Sequence, residues 1–85
     1  STSALEALEK SLAVNRQLNN KLLISYNLNN IGDVYLKKQK YTEALDYYQQ
    51  SLNMKQLLGD KWAMTYTYNG MAQVYLQQKD FEKSI

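Results

Sequence analysis

The side chains in this chain with the most recognition chemistry are amides and phenols. Tyr26 and Asn29 recur forty positions later as Tyr66 and Asn69, and Asn30, Asp33, Lys37, Gln73 and Gln77 fall on the same helical faces. An Asn amide offers a donor and an acceptor to a peptide backbone, and Tyr offers a large contact area with a polar tip. Such groups recognise a ligand without breaking bonds in it. The 85 residues include no Cys, His or Pro. That removes disulfide frameworks, thiol nucleophiles, Cys/His zinc sites and the usual neutral-pH general base. The acids Glu6/Glu9 and Glu43/Asp46 lie one helical turn apart with no metal partner, and read as exposed charges near helix starts. Neither a catalytic site nor a cofactor is expected.

Charge and hydropathy narrow the partners further. A net charge of +2 is too small and dispersed for nucleic-acid or acidic-membrane binding and serves solubility. The basic run Lys37-Lys38-Gln39-Lys40 has the counterpart Gln77-Gln78-Lys79-Asp80, so it reads as a solvated turn. No apolar run approaches the roughly 18 residues of a membrane span. The expected partner is a protein or peptide, with the cytoplasm favoured over a periplasmic or extracellular sensor region of a larger protein.

The elements that must position these residues emerge from internal repetition. At an offset of forty, twelve of forty-five aligned pairs are identical, where ordinary residue frequencies give roughly three. They include Ala4-Leu5 with Ala44-Leu45, Ser11-Leu12 with Ser51-Leu52, and Val34-Tyr35-Leu36 with Val74-Tyr75-Leu76. Within a unit the apolar positions keep helical spacing: Leu28, Ile31 and Tyr35, then Ala44, Leu45, Tyr48 and Leu52. Helices are predicted over 3–18, 21–37, 41–57 and 61–77, with a fifth opening near 80 and no strand. Gly59 can close a helix in the left-handed conformation and Asp60 can cap the next. Asn19 and Asn20 are their chemically apt counterparts.

These residues resemble the tetratricopeptide repeat family, whose units pair two antiparallel helices. Leu28-Asn29-Asn30-Ile31-Gly32-Asp33-Val34-Tyr35 looks like the first-helix signature, and Tyr41, Ala44, Tyr48 and Ser51-Leu52 occupy the second helix's aromatic and small positions. Tyr68, Met71-Ala72, Tyr75, Phe81, Ser84 and Ile85 repeat the pattern. The forty-residue period is longer than the common thirty-four and is similar to the long-helix branch of kinesin light chains, polarity adaptors and bacterial signalling proteins. The resemblance implies an all-α, right-handed superhelical solenoid of about four and a half helices. Its segments are the second helix of a preceding repeat (3–20), a complete repeat (21–60) and an incomplete one (61–85), as in a fragment of a longer scaffold or signalling protein.

The resemblance also implies that first helices line a concave face, which makes Tyr26, Asn29, Asn30, Asp33, Lys37, Tyr66, Asn69, Gln73 and Gln77 the peptide-binding candidates. A second reading stays open: Asn can bond between neighbouring helices and Tyr can pack within the array. Tyr35, Tyr48 and Tyr75 are expected in the core, and Trp62 as an inter-helix packing residue. The alternative function is structural, with head-to-tail self-association through terminal repeat faces in place of a specific peptide ligand.

Overall fold

Three turns of the same construction fix the architecture. Asn19, Gln39 and Gly59 each take a left-handed backbone, at φ 55, 62 and 71°. The next amide then returns to a carbonyl five residues back: Asn20 to Asn15, Lys40 to Tyr35 and Asp60 to Lys55, at 2.9–3.1 Å. This pairing satisfies carbonyls that a helix end otherwise leaves open. Asn20 and Asp60 accept from the backbone N–H of Leu23 and Ala63 at 3.2 and 3.0 Å, as expected of N-caps. Lys40 makes no side-chain cap.

The computed structural model describes residues 2–84, and the side chains of residues 4–79. Between the turns run α1 (Thr2–Gln17), α2 (Lys21–Lys37), α3 (Tyr41–Leu58) and α4 (Lys61–Ser84). The all-α solenoid predicted from the repeat is the fold. The predicted turn at 77–80 is absent, because α4 runs through it as one helix of 24 residues. Gln77-Gln78-Lys79-Asp80 contains neither Gly nor Pro, and its local preference is helical. The equivalent turn at 37–40 is held by α3 packing back onto α2. The expected positions of Phe81, Ser84 and Ile85 lie outside the described side chains.

Helix α2 touches all three other helices, and the core divides around it. Leu12, Ile24, Leu28 and Ile31 are buried between α1, α2 and α3. Ala44, Tyr48 and Val74 form a second cluster between α3 and α4. Burying an Ile or Leu side chain contributes about 1.5–3 kcal/mol, so these stripes hold the stack together. Tyr48 is wholly buried, with its ring against two glycines. A Cβ at Gly32 would stand 2.9 Å from the ring, and one at Gly70 would stand 2.8 Å from it. Both separations are shorter than packed carbon atoms adopt, so the ring requires glycine on each side.

Tyr35 is half-buried and stacks on Tyr47, with centroids 5.4 Å apart. Tyr75, expected in the core, is instead 57% exposed. Its repeat partner Tyr35 is covered by α3, whereas no described helix lies over the equivalent face of α4.

Candidate functional site

Helices α2 and α4 are tied at one buried point. Thr67 Oγ1 donates to Asn29 Oδ1 at 2.8 Å, and it accepts from Lys55 Nζ of α3 at 2.6 Å. Lys55 and Thr67 have no exposure, and Asn29 has 2%. Lys55 therefore brings a charge into the interior. Its ammonium sits 5.7 Å from the centroid of the Tyr26 ring and 5.6 Å from that of Tyr66. Aromatic faces attract a cation there. Burial pushes Lys55 below its ordinary value of 10.5, while Asp60 and Asp33 pull it back up.

Above this tie is a depression of about 540 Å³ lined by Tyr26, Asn29, Asn30, Lys55, Asp60, Trp62, Ala63 and Tyr66. Tyr66 also borders a second depression of about 200 Å³, with Asp33, Leu36, Tyr48, Asn69, Gly70 and Gln73. Asp33 accepts a hydrogen bond from the Tyr48 hydroxyl. Burial comes first, with the Asp33 contact behind it, in driving that phenol far above its ordinary value near 10. The groove thus carries exposed aromatic rings over a polar, partly charged floor.

Most of the residues singled out in the sequence meet here. Tyr26, Asn30 and Tyr66 are exposed on the larger depression, and Asp33, Asn69 and Gln73 line the smaller one. Asn29 lies at the floor, where its oxygen ties α2 to α4. Its role is at least half structural, in keeping with the second reading left open from the sequence. Its Nδ2 is buried without a hydrogen-bond partner. Lys37 and Gln77 line neither depression, the first being exposed and the second half-buried.

Trp62 departs from its expectation. It is 88% exposed and stands on the rim of the larger depression, because the opening turn of α4 faces the groove and not a neighbouring helix. Sequence reasoning missed Lys55 altogether. A signal was available: Lys55 continues the spacing of Tyr48, Ser51 and Leu52, so a charged residue was due on the buried stripe.

Comparison with known proteins adds three findings. A family model described as tetratricopeptide repeat matches residues 2–56 and again 24–85. No curated protein matches the chain. Among solved structures, the designed protein DA05, determined by solution NMR, is similar with a TM-score of 0.85 at 20% identity, covering 92% of this chain and 78% of that one. At that identity the likeness is one of fold.

Proposed function

Because this chain belongs to the tetratricopeptide repeat family, whose members generally mediate protein–protein interaction or scaffolding and are typically non-enzymatic, we propose that it binds a peptide or partner helix along the groove between α2 and α4. The observation that carries this reading is the cluster of Tyr26, Trp62 and Tyr66, three large aromatic side chains left 42, 88 and 60% exposed around one depression. Exposed aromatics gathered around a cavity are characteristic of recognition surfaces. Asn30 and Asn69 add amides that can pair with a ligand backbone, and Asp33 and Gln73 set selectivity at the smaller depression. In this reading residues 21–60 are one repeat, flanked by the second helix of another and by the start of a third. Among the described residues no helix is long and apolar enough to cross a membrane.

Affinity capture with matched variants tests the reading. Asn30→Ala/Trp62→Ala/Tyr66→Ala should lose proteins that the parent retains, while Leu57→Ala, an exposed change on α3, should keep them. Loss with Leu57→Ala but not with the groove variant would place binding elsewhere.

One observation favours self-association as a second reading. Tyr68, Tyr75 and Leu76 are at least half exposed on α4, while their repeat partners Leu28, Tyr35 and Leu36 are covered or half-covered. A second-type helix such as α1 of another copy has the repeat register to lie there, giving a heterologous, open-ended contact. Light-scattering mass that grows with concentration supports it, and a constant monomer mass removes it.

A further inference from the structure

The groove's occupant can be narrowed by the chemistry of its floor, on the premise that the groove is the binding site. Lys55 carries three N–H donors and spends one on Thr67. Asn29 Nδ2 carries two more and has no partner. Both side chains are more than nine-tenths buried, and both line the same depression. The floor therefore presents N–H donors, one of them charged, that its own hydrogen bonds do not use up. Buried donors without acceptors are costly, and a charged acceptor is the strongest remedy.

The nearby carboxylates of Asp60 and Asp33 attract Lys55 through space, and the hydrogen bond each makes goes to another donor. Asp60 accepts the Ala63 amide as the cap of α4, and Asp33 accepts the Tyr48 hydroxyl. Tyr26 and Tyr66 face the Lys55 ammonium, so an arriving Lys or Arg would meet a like charge at the position where those rings would otherwise hold it.

We propose that the larger depression receives a glutamate side chain of a bound peptide, its carboxylate taken by Lys55 Nζ and Asn29 Nδ2 as Tyr26 and Tyr66 part around it. The reach argues for a side chain over a chain terminus. Lys55 has no exposure, and two methylenes let a carboxylate descend between the rings while the peptide backbone stays at the rim with Asn30 and Trp62. A terminal carboxylate would have to carry its own backbone to the floor. Tyr26 and Tyr66 are themselves exposed, so they are free to move aside.

The test uses pools of short N-acetylated, C-amidated peptides, randomised over uncharged residues around a fixed central Glu, Gln or Lys. A further Gln pool has a free C-terminal carboxylate. Retention on the immobilised chain should favour the Glu pool over the Gln pool by about ten-fold, the usual scale of one charge-assisted hydrogen bond. Lys55→Met should erase that preference, and Asn29→Asp should erase it by placing a second anion at the floor. Asp60→Asn keeps the cap, removes the rim charge and should widen the preference. If Lys55→Met does not fold, the last two variants decide. Equal retention of Glu and Gln pools overturns the glutamate site; if both pools are then lost with Trp62→Ala/Tyr66→Ala, groove binding itself survives. Preference for the Lys pool or for the free terminus also overturns it. Retention of no pool overturns both readings.

Discussion

Lys55 donates to Thr67 across the α3–α4 interface at 2.6 Å, in the repeat position where Asn15 donates to Asn27 across α1–α2 at the same distance. The two bonds are one rung of the stack built twice. In the first copy the rung is a neutral amide pair, extended by Asn27 donating to Ser11 at 3.2 Å. In the second it is an ammonium under two tyrosine rings. The repeat conserves the geometry of the tie and changes its charge, and the change falls at the groove where the exposed aromatics gather.

Replacing that ammonium should therefore change how stability depends on pH. Burial lowers the Lys55 value from 10.5 in the fold, so between the folded and unfolded values the unfolded chain binds more protons. Stability then rises with pH through the folded value and up to the unfolded one. Lys55→Met removes this proton linkage and should flatten the rise on the alkaline side of neutrality. Melting curves taken across that range check it. An unchanged pH slope would show that Lys55 does not supply the effect.

The Tyr48 ring should make glycine obligatory on both helices that flank it. In an exposed helix interior Gly→Ala gains about 1 kcal/mol. Here the added Cβ would lie 2.9 Å from the ring at Gly32 and 2.8 Å from it at Gly70. Each substitution should instead destabilise by about 1–3 kcal/mol, and 1 kcal/mol moves the melting temperature of a domain this size by about 4–8 °C. Pairing either change with Tyr48→Leu should give less than the sum of the single effects. Strict additivity would mean the ring is not the obstacle.

Tyr48→Phe removes a hydroxyl and leaves the half-buried Asp33 carboxylate without that donor, which should cost about 1–3 kcal/mol at neutral pH. The phenol's folded value lies above its ordinary 10.0. Its contribution is thus fully present below pH 10.0 and is lost as pH rises toward the folded value. The parent should lose stability above pH 10 more steeply than the Phe variant, as denaturant titrations at several alkaline pH values would reveal. Parallel curves would remove the ionisation argument.

How much of this was legible in the sequence depends on whether local or tertiary physics decides a residue. Asn19, Asn20, Gly59 and Asp60 act through their own backbone and neighbours, so their turns could be read directly. The recurrence of Tyr26 with Tyr66 pointed to the groove because a forty-residue repeat keeps faces in register. The turn expected at 77–80 rested on repetition and on the polarity of its residues, and the helical preference of Gln77 to Asp80 was not overridden by packing. Tyr75 and Trp62 took their expected places from their repeat positions opposite Tyr35 and Leu22, yet their burial depends on which helix lies against them. Lys55 went unread because a lysine is ordinarily exposed, and only the spacing from Tyr48 and Leu52 shows that it cannot be.

The turn residues give a clean stability test. Asn19 holds φ 55°, a region that costs most side chains about 1 kcal/mol and Gly almost nothing. Asn19→Gly should be neutral or slightly stabilising, whereas Asn19→Val should be clearly destabilising. Asn20→Ala should cost about 1 kcal/mol by removing the bond to the Leu23 amide. Thermal melts should place Asn19→Gly at or above the parent and both other variants below it. A tolerated Val would mean the turn can adopt another backbone.

Trp62 is the chain's single tryptophan, so its emission separates two placements of the side chain. A tryptophan packed between helices emits at shorter wavelength and shifts to the red when the protein unfolds. With 88% exposure the folded chain should already emit as in water, be quenched readily by acrylamide and shift little on unfolding. A peptide entering the larger depression would cover the indole beside Tyr26 and Tyr66, because an indole at a recognition site loses water on its apolar face. Binding should therefore move emission to the blue and protect it from acrylamide. A blue-shifted free protein would return Trp62 to an inter-helix role, and peptide binding without any spectral change would place the ligand away from the α2–α4 groove.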